Sequence, residues 1–229
     1  MNGTLQFERS PLLRRFSAIE LLVALVALFV SFPFVESLHA SALIESILLT
    51  IVLISAVLAI AGDGRILIGA AVLAVPTLAG RWVNHYRPDL MQPEVFLIGG
   101  ILFVLFVIGN LLRFVLKAPS VNTEVLCASI SAYLLLGLLW TLGYWLIAEL
   151  IPDAFAFNAS TVVDRSMKGF NGFYFSFITL STVGYGDITP VSKVARMLAT
   201  MEATTGLLYV AVLIARLVAL HGTQKSNES

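Results

Sequence analysis

Charge is what this sequence lacks most: 12% of its 229 residues are Asp, Glu, Lys or Arg, about half the share carried by an average soluble domain. With 59% hydrophobic residues there is too little polar surface to cover a soluble fold, so the chain reads as a membrane protein. Acidic and basic side chains balance at 14 each, which leaves neither the basic footprint of a nucleic-acid partner nor an acidic solvating tail. Cys127 is the one cysteine; it allows no disulfide within the chain and reads as a small packing residue at the head of an apolar run. The histidines, His39, His85 and His221, lie far apart. With no metal-ligand spacing and no nucleophile beside a base, an enzyme is not expected. No small-residue cleavage site closes the first apolar run, so it reads as a retained span and not a leader.

What is present is a series of long apolar runs, at residues 16–35, 42–61, 66–80, 95–112, 125–151 and 194–220. Crossing a ~30 Å hydrocarbon core takes about 20 residues at 1.5 Å each. The run at 66–80 reaches only ~22 Å and carries Pro76, which makes it the weakest of the six. Residues 81–93 read as a polar loop, 119–124 as the boundary between two units, and 153–168 as a loop holding the sequon Asn158-Ala159-Ser160. Trp140, Tyr144 and Trp145, late in the fifth run, suit a membrane interface. The polar tail from His221 leaves no room within this chain for a ligand-binding domain.

Between the last two runs stands Thr182-Val183-Gly184-Tyr185-Gly186-Asp187. Its glycines can take backbone angles closed to other L-residues, so that successive carbonyls point to one side instead of alternating. A row of aligned carbonyl dipoles is a cation ligand. Just upstream, Asn171 can cap a short helix ending near Ser181. Phe170, Phe173, Phe175 and Phe177 on it read as packing, and Tyr174 as a brace for the strand that follows.

The six residues from Thr182 to Asp187 resemble the selectivity filter of the potassium-channel pore-domain family. The resemblance implies an all-α membrane protein of six transmembrane helices, with a re-entrant pore helix and filter loop between the fifth and sixth. Residues 1–120 would then be a four-helix membrane domain and 121–229 the pore domain. It further implies a homotetramer in the lipid bilayer of the cell membrane, with K+ ions as the permeant ligand and no cofactor. The carbonyls of Thr182, Val183, Gly184 and Tyr185, with the Thr182 hydroxyl, would replace the water around K+; Gly186 completes the strand and Asp187 forms the outer mouth. A pore segment entering from outside places both termini in the cytoplasm, in line with Arg9, Arg14 and Arg15 near the start.

Two departures bear on gating. Some members pair the mouth aspartate with an acid four residues before the filter threonine; that position is Ile178 here, so filter inactivation through such a pair is not expected. Voltage-sensing members need several arginines on the fourth helix, because one charge yields only about 2.3 kcal/mol per 100 mV. The fourth run has none before Arg113, so strong voltage gating is disfavoured. Glu20 and Arg113 are candidates for an ion pair near the cytoplasmic side. Gly206 falls where the family has a gating hinge, or it allows close helix packing. Glu202, one turn earlier, either faces the water-filled cavity or turns behind the filter to bond a pore-helix hydroxyl such as Thr179 or Ser181. Its depth favours the second placement, and in both it would tune the pore. Two other readings are weighed: a transporter built from four degenerate filters, disfavoured by the single intact motif, and a non-conducting regulatory subunit.

Overall fold

The computed structural model describes the backbone of residues 11–35, 41–60, 64–86, 93–158 and 165–227. It is mostly helical: α1 (Pro11–Val35), α2 (Ser41–Ile60), α3 (Gly64–Tyr86), α4 (Pro93–Lys117), α5 (Thr123–Leu150), α6 (Phe170–Leu180) and α7 (Lys193–Asn227), with short strands β1 (Phe155–Phe157) and β2 (Ile188–Pro190) on either side of α6. Helix ends follow local chemistry. Pro11 and Pro93 open α1 and α4, where a missing N–H costs nothing. Glu94 in the first turn of α4 and Lys117 in its last both oppose the helix dipole. Asn122 caps α5 by accepting from the Val125 amide at 2.9 Å.

Among the described residues, Glu94–Lys117, Thr123–Leu150 and Lys193–Ala219 are long and apolar enough to cross a membrane. Ala18–Phe34, Ile47–Ala59 and Ile66–Gly80 are shorter apolar helices. The polar loop expected at 81–93 does not begin at residue 81: α3 continues to Tyr86 and reaches 23 residues with Pro76 inside it, and residues 87–92 lie outside the described ones. Polar residues propagate a helix that already exists, because each adds one hydrogen bond without a new nucleus.

One apolar core runs through both halves of the chain. On α1 it takes Leu21, Leu25, Leu28 and Phe32, spaced to share one face, while Val23, Val26, Val30 and Phe34 are exposed on the other. A helix apolar on every side is built for surroundings that are apolar on every side. α5 is the hub, packed against α1, α4, α6 and α7. Its Trp145, 9% exposed, belongs to this core, and Tyr144, 0% exposed, lies in a second apolar cluster with Phe155, Phe175 and Ile178. Phe29 and Phe32 of α1 meet the rings of Phe173 and Phe177 on α6, with Phe29–Phe177 centroids 4.5 Å apart. The loop expected at 153–168 instead contributes β1, paired antiparallel to β2 with Ala156 opposite Thr189. Phe155 anchors it, edge-on to Tyr144 and Phe175.

Candidate functional site

The site is assembled at the C-terminal end of α6. Asn171 does not cap that helix: Gly169 does, at φ 63°, and Asn171 sits in the first turn, donating from its amide to the Ser166 carbonyl at 2.9 Å. After Leu180 the chain reverses. The Thr182 amide reaches the Thr179 carbonyl at 2.9 Å, and the amides of Val183 and Gly184 both converge on the Ile178 carbonyl, at 2.8 and 3.1 Å. In a trans peptide the carbonyl points opposite to the following N–H. The carbonyls of Thr182 and Val183 therefore point together, away from α6. Positive φ at alternate residues, Thr182 (60°), Gly184 (53°) and Gly186 (79°), makes this possible. Thr182 is a β-branched residue in a region that costs it about 1–3 kcal/mol. Residues 181–186 are exposed along this edge of the protomer.

Beyond Tyr185 the backbone turns outward. The Gly186 carbonyl accepts from the Asn158 amide side chain at 2.9 Å, and the Asp187 carbonyl from the Asn158 backbone N–H at 2.7 Å. The same side chain reaches the Thr189 hydroxyl at 3.1 Å. The Asp187 carboxylate caps the Ile188 amide at 3.0 Å and accepts from the Tyr174 hydroxyl. Tyr174 thus braces the strand, and Asp187 has a donor from α6 although Ile178 offers none. The sequon asparagine thus ties residues 186–189 in place, which no local sequence signal announced.

Glu202 is fully buried behind this strand. It meets the Tyr144 hydroxyl with one carboxyl oxygen, and its other lies 2.5 Å from the Ser176 hydroxyl, which is 2.7 Å from the Gly137 carbonyl. The partner on α6 is Ser176 and not Thr179 or Ser181; the Ser181 hydroxyl goes to the Phe177 carbonyl at 2.6 Å. Helical spacing gives the reason. Ser176 and Leu180 lie one turn apart on the face of α6 turned to α7, where Glu202 and Gly206 also lie one turn apart. A Cβ at Gly206 would stand 2.1 Å from the Leu180 carbonyl oxygen, so glycine lets the last turn of α6 rest on α7. Gly137 does the same for the Phe177 ring, also at 2.1 Å. Glu20 and Arg113 are both exposed and no ion pair joins them among the described residues.

Residues 134–221 match the family model described as Ion channel. The match covers less than half of the chain. It begins inside α5 and takes in α6, the 182–187 strand and most of α7. The chain is 42% identical over 48 residues to two-pore potassium channel 4 of Arabidopsis thaliana, covering 21% of this chain and 17% of that protein. To two-pore potassium channel 3 of the same plant it is 35% identical over 57 residues, 25% of this chain and 13% of that one. The chain thus matches less than a fifth of the length of these curated relatives. No solved structure matches. A match to an ion-channel family beside helices apolar and long enough to cross a bilayer fits a membrane protein. Three further bonds tie the matched stretch to its surroundings. Tyr209 of α7 donates to the Ser129 carbonyl at 2.6 Å, and Arg216 donates to the carbonyls of Leu116 and Ala118, at 2.9 and 3.1 Å, where α4 ends.

Proposed function

We propose that the protein is a potassium-selective channel that passes K+ passively through a pore built by four copies around an axis. The observation that carries this reading is the pair of adjacent amides, Val183 and Gly184, gathered on one carbonyl of α6. The carbonyls they leave free face one way, as dipoles must to replace the water shell of a cation. In this reading Thr182, Val183, Gly184 and Tyr185 coordinate K+, Gly186 and Asp187 form the outer mouth, and α6 is the re-entrant pore helix, its negative end aimed at the cavity. Irregular backbone at this depth is tolerated where protein covers it and water lines it.

Assembly has support of its own. Of an 18-residue apolar stretch within Lys193–Ala219 of α7, 11% is buried in the protomer, against 56% of the matching stretch within Thr123–Leu150. Met197, Met201, Leu207 and Leu208 stand exposed on it, a face suited to neighbouring copies of α7 and lipid. α1 to α5 and α7 would make six spans with both termini in the cytoplasm, in the cell membrane. With no charge between Val95 and Leu112, opening is weakly dependent on voltage. Gly206 serves as a hinge only if the Leu180 contact yields, and Glu202 tunes conduction through the pore helix. The test is flux into liposomes from the purified protein. Rapid K+ uptake, excluding Na+ and lost in Gly184→Ala, is expected of a tetrameric particle; selective flux that survives Gly184→Ala, or a dimeric particle, would overturn the reading.

A further inference from the structure

The Ser176 hydroxyl has one hydrogen and two oxygens within bonding distance, the Gly137 carbonyl at 2.7 Å and Glu202 at 2.5 Å. If Glu202 were a carboxylate, that hydrogen would go to it. The Ser176 and Gly137 oxygens would then face each other at 2.7 Å, a hydrogen-bond distance, with no hydrogen between them. If Glu202 is a carboxylic acid, every hydrogen has a place. Tyr144 donates to one oxygen of Glu202, Glu202 donates its own proton from the other to Ser176, and Ser176 donates to the Gly137 carbonyl. That carbonyl also takes the Thr141 hydroxyl at 2.9 Å.

The surroundings agree with the acid form. Glu202 is 0% exposed, and among the described residues no Lys, Arg or His pairs with it. From α5 the titratable groups facing it are two phenols, Tyr144 and Tyr133. α6 contributes the Ser176 hydroxyl, and α7 itself adds no second ionisable group there. An unpaired carboxylate at such depth is costly, and a group so placed neutralises.

We propose that Glu202 is held protonated and donates to Ser176, so that one proton closes a hydrogen-bond relay joining α7, α6 and α5 behind the filter. Glu202 is a positioning residue: it touches no ion and acts by fixing α6, from whose Ile178 carbonyl the strand hangs. Removal of the proton by hydroxide turns the Ser176 hydrogen to the carboxylate and breaks the link to Gly137. Only the flux consequence rests on the channel reading; the proton itself can be read directly.

Infrared spectra of the full chain in lipid vesicles, wild type minus Glu202→Gln at neutral pH, test it. The expected difference contains the C=O stretch of a hydrogen-bonded carboxylic acid, and in Ser176→Ala that band moves to the position of a weaker bond. A difference holding only carboxylate bands, or a band indifferent to Ser176→Ala, overturns the relay. Glutamine accepts from Tyr144 and donates to Ser176 as the acid does, so the variant folds and keeps the link at every pH. On alkaline titration the acid band disappears, and the wild-type K+/Na+ flux ratio falls about tenfold, the size expected when a buried bond is lost, while that of Glu202→Gln stays flat. An equal fall in Glu202→Gln overturns the coupling. An acid band that behaves as expected in a protein with no K+ flux supports the relay and removes the channel reading alone.

Discussion

The two halves of the molecule are held together by different means. Among the described residues of α1 to α4, Ser31, Thr77 and Asn110 each bond a carbonyl of their own helix, and Leu21, Leu25, Phe103 and Val107 fill the apolar core between helices. In α5 to α7, side-chain bonds join residues far apart in sequence: Tyr144 and Ser176 to Glu202, Asn158 to Gly186, Tyr209 to Ser129. Apolar packing is non-directional and tolerates a change of shape, whereas a hydrogen bond fixes distance and angle. A strand that must present carbonyls at set positions therefore hangs from bonds, and the helices around it need only be apolar and well filled.

The contrast can be broken most severely at Gly206. Gly206→Ala places a methyl 2.1 Å from the Leu180 carbonyl, an overpacking of about 1–3 kcal/mol delivered to the base of the filter. Selective K+ flux should fall at least tenfold, measured against protein recovered as assembled particles; unchanged flux would mean that α6 does not depend on this seat. Next comes Asn158→Ala, which strips the side-chain donors from Gly186 and Thr189 at an exposed site. A loss of about 1 kcal/mol should lower the K+/Na+ flux ratio severalfold without preventing assembly. Leu25→Ala, buried in α1, should cost roughly 2–5 kcal/mol of stability yet leave the flux ratio within about twofold, since non-directional packing carries no filter geometry. A selectivity change as large as that of Asn158→Ala would erase the distinction between the halves. The smallest effect is expected from voltage itself: with α4 uncharged between Val95 and Leu112, steps across a bilayer should barely change open probability, and a steep activation curve would place a sensor in the half described as filler.

Legibility in the sequence followed the range of the cause. The strand at 182–187 could be read because its demand on the backbone is local, two glycines at alternate positions. The placement of Glu202 behind the strand could be read from helix rise, a one-dimensional measure. Its partner could not: Thr179, Ser181 and Ser176 all carry hydroxyls within two turns, and which of them faces α7 is decided by how two helices seat on Gly206. Asn158 was invisible for the same reason, its bond spanning 28 residues of chain. Arg81 suggested an ending for α3 that the helix did not obey, since a polar residue still adds a hydrogen bond to a helix that already exists. Tyr144 matched the composition of an interfacial belt, but the buried carboxyl of Glu202 gave its hydroxyl a partner inside.

The pairing of β1 with β2 also encloses residues 182–187 in a closed loop, joining residue 157 to residue 188. In polymer terms such a loop, about thirty residues long, is tied only at its ends, and the entropy cost of tying it grows with no more than the logarithm of its length. The ribbon therefore fixes where the strand sits while leaving most of its shape to be fixed from within, by α6 against α7 and by Asn158 at the rim. Lengthening the loop should change the free energy of folding by only a few tenths of a kcal/mol, whereas loosening one internal tie returns conformational freedom to the residues whose positions matter most.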